Sequence, residues 1–298
     1  MISHAEVLWI IYFIQFITGV LGNGFLFCIY NYNFITGYKK RPIDPILIHL
    51  AFVNIMFLLF RGIPQMIRVW RQGDFLNDIE CKLIIYFQRV SRGLSLSSTS
   101  LLSVFQAIIV SPSSLFWAEV KTKAPNCVFP CCLLSWIFNL LIDVFLLVYV
   151  TGPRNNTTKE RMNLGYCSLD VHSVSSLKVI IWKSLYDFIF VGIMACSSIY
   201  MVYFLYRHHC QVKHIHNTSL SSSTSPEIQA TKSILLLVSS FVCFNVISGP
   251  FILHMERSQG IISWAYYVSS LLSVSFQSVS PFVLLSSDIR IPRSCCIL

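Results

Sequence analysis

Charged side chains interrupt three long apolar runs of the sequence. Arg89 and Arg92 lie in one run, Asp143 in the next, and Lys183 and Asp187 in the run after that. A charge at the centre of a bilayer costs about 3 kcal/mol on insertion scales, so such groups usually face a protein interior. There they either pair with one another or meet a polar group of a ligand. The residue types alone leave both alternatives open.

Composition defines the environment of these runs. The chain has 298 residues, of which 55% are hydrophobic and 12% charged, and its mean hydropathy is +0.66. Soluble domains are about 25% charged, so this chain is predicted to be a polytopic membrane protein. The net charge of +9 does not indicate nucleic-acid binding, because the Lys and Arg residues are dispersed among apolar runs rather than gathered on one basic face.

Seven apolar segments are long enough to cross a membrane as helices. The predicted fold is therefore an all-α membrane protein, a single seven-transmembrane helix bundle over residues 1–298. The connectors leave no room for a soluble domain, and the absence of an internal repeat disfavours a transporter built from duplicated halves. The predicted helices span 7–33, 44–67, 79–111, 128–150, 176–206, 231–253 and 262–286.

Orientation follows from charge and glycosylation motifs. The difference in Lys and Arg content between the two faces is small, so the Lys39-Lys40-Arg41 cluster after the first helix decides, and it predicts the amino terminus outside. Asn155 and Asn156 then head overlapping N-glycosylation motifs on the outer face. Asn217 heads a third motif on the cytoplasmic face, where it is predicted to stay unmodified.

The predicted topology shows which cysteines lie on the oxidising side of the membrane. Of the 11 cysteines, only Cys81 and Cys167 face the oxidising side, and the others lie within helices or on the cytoplasmic side, where thiols stay reduced. We therefore predict a disulfide from the outer end of the third helix to the loop between the fourth and fifth.

One cluster has the composition of metal ligands. It lies in the predicted connector 207–230, beside a run of serines, and we interpret it as solvated and predict no metal and no cofactor. The helices also lack the nucleophile, base or metal set that an intramembrane enzyme needs, so no enzymatic activity is predicted. The cluster comprises His208, His209, Cys210, His214 and His216.

Seven helices, an outer amino terminus and this bridge resemble a G-protein-coupled receptor. Gly22-Asn23 is similar to the rhodopsin-like signature of the first helix, and Asn23 and Asn54 are expected to hydrogen bond between helices. Two rhodopsin-like motifs are absent: Ile108 to Pro112 replaces the acidic-arginine pair that ends the third helix, and Ser280-Pro281-Phe282 replaces the Asn-Pro-x-x-Tyr of the seventh.

These departures, with several longer runs, resemble the vomeronasal type 1 receptors across essentially the whole chain. The related bitter taste receptors share the bundle but not these runs. The runs are His49-Leu50-Ala51-Phe52-Val53-Asn54, Arg92-Gly93-Leu94-Ser95-Leu96, Leu101-Leu102-Ser103-Val104-Phe105-Gln106-Ala107, Leu134-Ser135-Trp136, Thr151-Gly152-Pro153-Arg154-Asn155, Gly165-Tyr166-Cys167-Ser168, Tyr206-Arg207-His208-His209 and Ser225-Pro226-Glu227.

The resemblance implies a pheromone receptor of vomeronasal sensory neurons, a multi-pass protein of the plasma membrane. It also implies that the receptor binds small organic molecules and activates a heterotrimeric G protein of the inhibitory type. The G-protein face is expected at the connector 207–230 and at Trp117 to Lys123. A bitter-taste-like chemoreceptor is the nearest alternative, and a small transporter or channel is a more distant one.

The candidate ligand pocket consists of Arg89, Arg92, Lys183 and Asp187. Counted from Cys81 at about 1.5 Å per residue, the two arginines lie about 12 and 16 Å down the third helix, within reach of a small ligand. These groups could present charge to a sulfate or carboxylate on an apolar body. In the alternative, Arg89 or Arg92 pairs with Asp143 across helices, and Lys183 pairs with Asp187 at i, i+4.

Overall fold

The protein is described by a computed structural model. It describes residues 4–37, 41–70, 76–112, 114–148, 150–151, 161–163, 167–170, 174–215, 231–244, 247 and 263–287. The predicted glycosylation sites Asn155 and Asn156 lie outside these residues, as does Asn217, whose motif was predicted to stay unmodified.

The described chain is nearly all helical. Six helices are long and apolar enough to cross a membrane, and α6, as described, is shorter. A helix needs about 20 apolar residues for a full crossing, which the other six provide. The helices are α1 (His4–Thr36), α2 (Asp44–Trp70), α3 (Asp78–Val110), α4 (Leu115–Val144), α5 (Val174–Ile215), α6 (Thr231–Phe244) and α7 (Ser263–Ser287).

Two helices extend into segments that were predicted as connectors. α4 begins at Leu115, whereas the predicted fourth segment begins at 128, and α5 continues to Ile215 instead of ending at 206. Hydropathy detects only the apolar part of a helix, while polar stretches such as Glu119 to Lys123 continue the same backbone hydrogen bonding beyond it. The cluster around His208 therefore lies largely on α5 rather than in a loop.

The predicted end of the fourth segment at 150 is also wrong. α4 ends at Val144 and a 3₁₀ turn follows over Phe145–Val148. Residue 150 then enters a three-stranded antiparallel sheet in which Val150 pairs with Leu169 and Met162 pairs with Leu169 from the other side. The sheet has the order β1 (Val150–Thr151), β3 (Ser168–Asp170), β2 (Arg161–Asn163).

Helix α3 occupies the centre of the bundle. In the most apolar 18-residue stretch of α3, 72% of the residues are buried, whereas the corresponding stretches of α4 and α5 have 17% and 11% buried. The outer helices instead expose large apolar side chains, such as Phe129 and Phe188 at 76% each, which suits a lipid-facing surface. A helix that is mostly buried can position polar groups away from lipid, and α3 carries several of those described below.

In the middle of the bundle, hydrogen bonds between uncharged polar groups join the helices. Asn54 of α2 accepts from Ser95 Oγ at 2.8 Å and donates to Ser280 Oγ at 3.1 Å and to Asn23 Oδ1 at 3.3 Å. Asn23 in turn donates to the carbonyl of Gln277 at 2.8 Å. The expected interhelical role of Asn23 and Asn54 is confirmed, and the two residues join α1, α2, α3 and α7.

Candidate functional site

A disulfide anchors one end of α3. Cys81 and Cys167 are bonded, with their Cα atoms 5.7 Å apart, and both are fully buried beside Ile85 and Val150. The start of α3 is fixed further because the Asn77 backbone N–H donates to the Glu80 carboxylate at 2.9 Å. The disulfide thereby holds the sheet directly over the start of α3, which is the end nearer to Arg89 and Arg92.

Asp143 is the centre of the charged cluster. Its side chain is fully buried, and its carboxylate accepts from Lys183 Nζ at 2.9 Å and lies 3.5 Å from Arg89 Nε. Burying a carboxylate is costly unless a cation and hydrogen bonds compensate it. The Asp143 carboxylate of α4 therefore contacts both α3 and α5, and its contact with Arg89 is the one expected in the pairing alternative.

Asn139, one turn before Asp143 on α4, also contacts Lys183. Its amide oxygen accepts from Lys183 Nζ at 3.0 Å, and its amide nitrogen donates to the Ser135 carbonyl at 2.8 Å and to Tyr186 Oη at 3.0 Å. The Lys183 ammonium also lies 5.1 Å from the centre of the Tyr186 ring. All these contacts hold the ammonium in place inside the bundle.

Gly93 makes room for this arrangement. A Cβ added there would overlap the Asn139 amide oxygen and lie 2.8 Å from Lys183 Nζ. Only glycine lets the α3 backbone approach the Asn139 and Lys183 side chains this closely.

Arg92 and Asp187 form a second, looser pair. The Arg92 guanidinium lies 3.7 Å from Asp187 Oδ2, and the two side chains are 49% and 31% exposed. Along the same stripe of α3, Leu96 is 3% exposed, whereas Gln88 and Arg89, one turn before Arg92, are half-buried. The exposed part of this stripe therefore ends just beyond Arg92.

The charges of the cluster do not balance. Arg89, Arg92 and Lys183 carry positive charge, whereas Asp143 and Asp187 carry negative charge, which leaves an excess of one cation among these five groups. Arg92 has Asp187 as its counter-charge, whereas Arg89 and Lys183 share Asp143, so the excess positive charge belongs to the group around Asp143. Such a site favours an anionic group on a bound molecule.

All four candidate pocket residues therefore lie in one cluster, and Arg89 pairs with Asp143 as expected, whereas the expected pair of Lys183 with Asp187 is wrong. Lys183 contacts Asp143 of α4, and Asp187 contacts Arg92, so the two α5 residues do not pair with each other. The sequence interpretation missed Asn139 and Tyr186. Asn139 carried a signal, since an amide four residues before a carboxylate in an apolar helix lies on the same helix face.

At the opposite end of α3, the structure describes Trp117 to Lys123 as the first turns of α4. Lys123 Nζ pairs with Glu119 Oε1 at 2.6 Å in an exposed i, i+4 contact, and the Trp117 and Tyr200 rings lie 6.2 Å apart. Among the described residues no group of three or more His, Cys, Asp or Glu side chains is placed to hold a metal ion.

Comparison with known families identifies the chain. The model of the vomeronasal organ pheromone receptor family matches residues 7–297. This chain belongs to that family. The membership expected from the sequence runs is thus confirmed, and the protein is a chemosensory G-protein-coupled receptor of the plasma membrane, a non-enzymatic class.

Relatives match over nearly the whole receptor. Vomeronasal type-1 receptor 1 of Gorilla gorilla gorilla is 41% identical, with 95% of this chain and 81% of the relative covered. Vomeronasal type-1 receptor 3 of Homo sapiens is 40% identical, with 95% and 92% covered. Olfactory receptor class A-like protein 1 of Danio rerio is 31% identical, with 91% and 85% covered.

The crystal structure of squid rhodopsin has the same fold. It matches with a TM-score of 0.71 at 16% identity, covering 94% of this chain and 77% of that one. The predicted seven-helix receptor architecture is confirmed at the level of the fold.

Proposed function

We propose that the receptor binds small organic pheromones in a pocket that opens to the outside between α3, α4 and α5, and that binding activates a heterotrimeric G protein of the inhibitory type. The amino terminus is outside in this proposal, as the Lys39-Lys40-Arg41 cluster favours. The family membership and the fold support the ligand and the G protein as partners, and the inhibitory type comes from the family resemblance.

The observation that carries the proposal is the contrast between the two ion pairs. Asp143 is fully buried and contacts both Lys183 and Arg89, so we interpret these contacts as structural. The pair of Arg92 and Asp187 is longer, and both of its side chains are more exposed than Lys183 and Asp143. A ligand can therefore compete for Arg92 at far lower cost than for Lys183.

The chemistry of the site favours an amphiphilic anion. A cluster with an excess of positive charge suits a sulfate or carboxylate on an apolar body, because Arg donates two parallel hydrogen bonds to such groups. Asp187 then positions Arg92, and Arg89 and Lys183 complete the polar side of the pocket.

The test uses cells that express the receptor with a promiscuous G protein and report calcium. Organic sulfates and carboxylates are applied together with neutral analogues that have the same apolar body. The proposal predicts responses to some of the anions and weaker responses to their neutral partners. Responses that do not distinguish the members of each pair would contradict the anionic class, and ion flux in cells lacking G proteins would contradict the receptor mechanism.

The G-protein type is tested separately. Chimeric G-protein α subunits that carry different carboxyl-terminal recognition segments are coexpressed one at a time. Coupling through the inhibitory-type chimera supports the proposal, and coupling only through another type contradicts it.

A further inference from the structure

Arg61 of α2 is a further cation on the inner face of the bundle. It lies two helical turns after Asn54, which hydrogen bonds to α1, α3 and α7, so the two residues share one face of α2. The neighbours on that face, Leu58 and Gln65, are 0% and 2% exposed, and Arg61 itself is half-buried. The position of Arg61 therefore directs its side chain into the bundle rather than to lipid.

Contacts between α2 and α3 give the depth of Arg61. The two helices run antiparallel, and three side-chain contacts define their register: His49 with Ser98, Asn54 with Ser95, and Phe60 with Phe87. Extended by one residue, this register places Arg61 level with residues 86–88 of α3. Arg89 is then within one turn of that level, and Arg92 lies about 6 to 9 Å deeper at 1.5 Å per residue, a separation that two arginine side chains can bridge.

Arg61 adds to the positive charge around Arg92. Like-charge repulsion reaches Arg92 from both Arg61 and Arg89, whereas two carboxylates attract it. Four cations and two carboxylates lie together here, with an excess of two positive charges among them. An anionic group with one charge leaves half of this excess uncompensated, and one with two charges compensates all of it. The six groups are Arg61, Arg89, Arg92, Lys183, Asp143 and Asp187.

We propose that Arg61 is a second anion-binding residue of the pocket, and that Arg61 and Arg92 together favour ligands with a doubly charged anionic group, such as phosphate monoesters, over singly charged sulfates. This proposal rests on the anion-binding pocket proposed above and adds the charge of the ligand. A phosphate monoester carries a charge of about −1.5 to −2 at pH 7 and has three strong acceptor oxygens, enough for both guanidinium groups. A sulfate monoester has the same shape but a single charge, so only the charge of the site distinguishes the two.

The experiment measures equilibrium binding to the purified receptor in lipid nanodiscs, so that no G protein is needed. The probes are matched sets, each made from one terpene or aromatic alcohol: its phosphate monoester, its sulfate monoester and its methyl phosphate diester. At about pH 7.5 the phosphate monoester should bind roughly tenfold more tightly than the other two, which carry a single charge. This comparison uses the wild-type receptor and therefore does not depend on how a variant folds.

Variants then assign the preference to Arg61. Arg61→Gln should abolish it, with a smaller loss of affinity for the sulfate than for the phosphate monoester. Arg61→Lys should retain part of it, because the charge stays but the paired hydrogen bonds are lost. Lys232→Gln is the control: it removes one positive charge from an exposed position on α6 and should leave the phosphate-to-sulfate ratio at the wild-type value.

Equal binding of the phosphate and sulfate monoesters to the wild-type receptor would overturn the proposal, as would an undiminished preference in folded Arg61→Gln. Sulfate binding that requires Arg92 but shows no preference for phosphate would contradict this proposal alone and leave the proposed function intact. If no set contains a ligand, both proposals fail.

Discussion

At the scale of single residues, Asp143 is the group on which the charged cluster depends. Its carboxylate meets both Lys183 and Arg89, and it is fully buried, as is most of Lys183. Removing one partner of such a pair leaves an uncompensated buried charge, which is more damaging than removing both partners.

Asp143→Asn should therefore destabilise the receptor by about 3 to 5 kcal/mol, because Lys183 loses its counter-charge. The measurement is the thermal stability of the detergent-solubilised receptor. The double variant Asp143→Asn with Lys183→Met is the control and should recover much of the loss. Wild-type stability in the single variant would show that the pair is not structural.

Gly93 provides a second test at this scale. Gly93→Ala inserts a methyl group against Asn139 and Lys183 and should cost about 1 to 3 kcal/mol through overpacking, measured in the same assay. Gly24→Ala in α1 is the matched control, because a Cβ there would meet no atom within 4 Å beyond its own helical turn and chain neighbours, and it should be neutral or slightly stabilising. Equal effects of the two substitutions would refute the close approach at Gly93.

At the scale of the elements, the disulfide fixes the end of α3 beneath the sheet. Cys81→Ser and Cys167→Ser should each destabilise the receptor by about 2 to 5 kcal/mol and reduce surface expression, since either change opens the same loop of 86 residues. The double variant should be no worse than either single one. Cys28→Ser removes an exposed free cysteine and should leave expression unchanged; a loss there as large as in Cys81→Ser would mean that expression does not report on the bridge.

The elements also show what the sequence can predict. The apolar cores of the helices were predictable because a helix that crosses a bilayer needs a long apolar run. The disulfide between Cys81 and Cys167 was predictable because the topology placed the other cysteines within helices or on the cytoplasmic side. The start of α4 and the end of α5 were missed because a helix that continues into water leaves no hydropathy signal. The pairing of Lys183 with Asp143 was missed because it depends on how α4 and α5 are rotated about their axes, which neither sequence spacing nor charge specifies.

At the scale of the whole molecule, the fold is shared with squid rhodopsin at 16% identity. On that shared bundle, this chain places an arginine and lysine cluster at one end of α3 and the neutral Gln106 to Thr231 contact at the other. The two ends of one helix thus carry different polar groups, a charged cluster nearer the disulfide and a buried neutral pair nearer the other end.

Orientation is tested by glycosylation. With the amino terminus outside, Asn155→Gln with Asn156→Gln should abolish the glycosidase-sensitive mass of the receptor, because only outer segments are modified. Asn217→Gln is the matched control and should change nothing. A glycan that is lost only with Asn217 would invert the topology.

The central claim is that Arg92 meets the anionic group of a ligand, and its most direct test is the concentration dependence of the calcium response to an organic anion agonist. Arg92→Gln should raise the half-maximal concentration roughly 10- to 100-fold, the cost of one charge-assisted contact, at unchanged surface expression. Arg92→Lys should lie between wild type and Arg92→Gln, since it keeps the charge but not the paired hydrogen bonds. A wild-type concentration dependence in Arg92→Gln would contradict the claim.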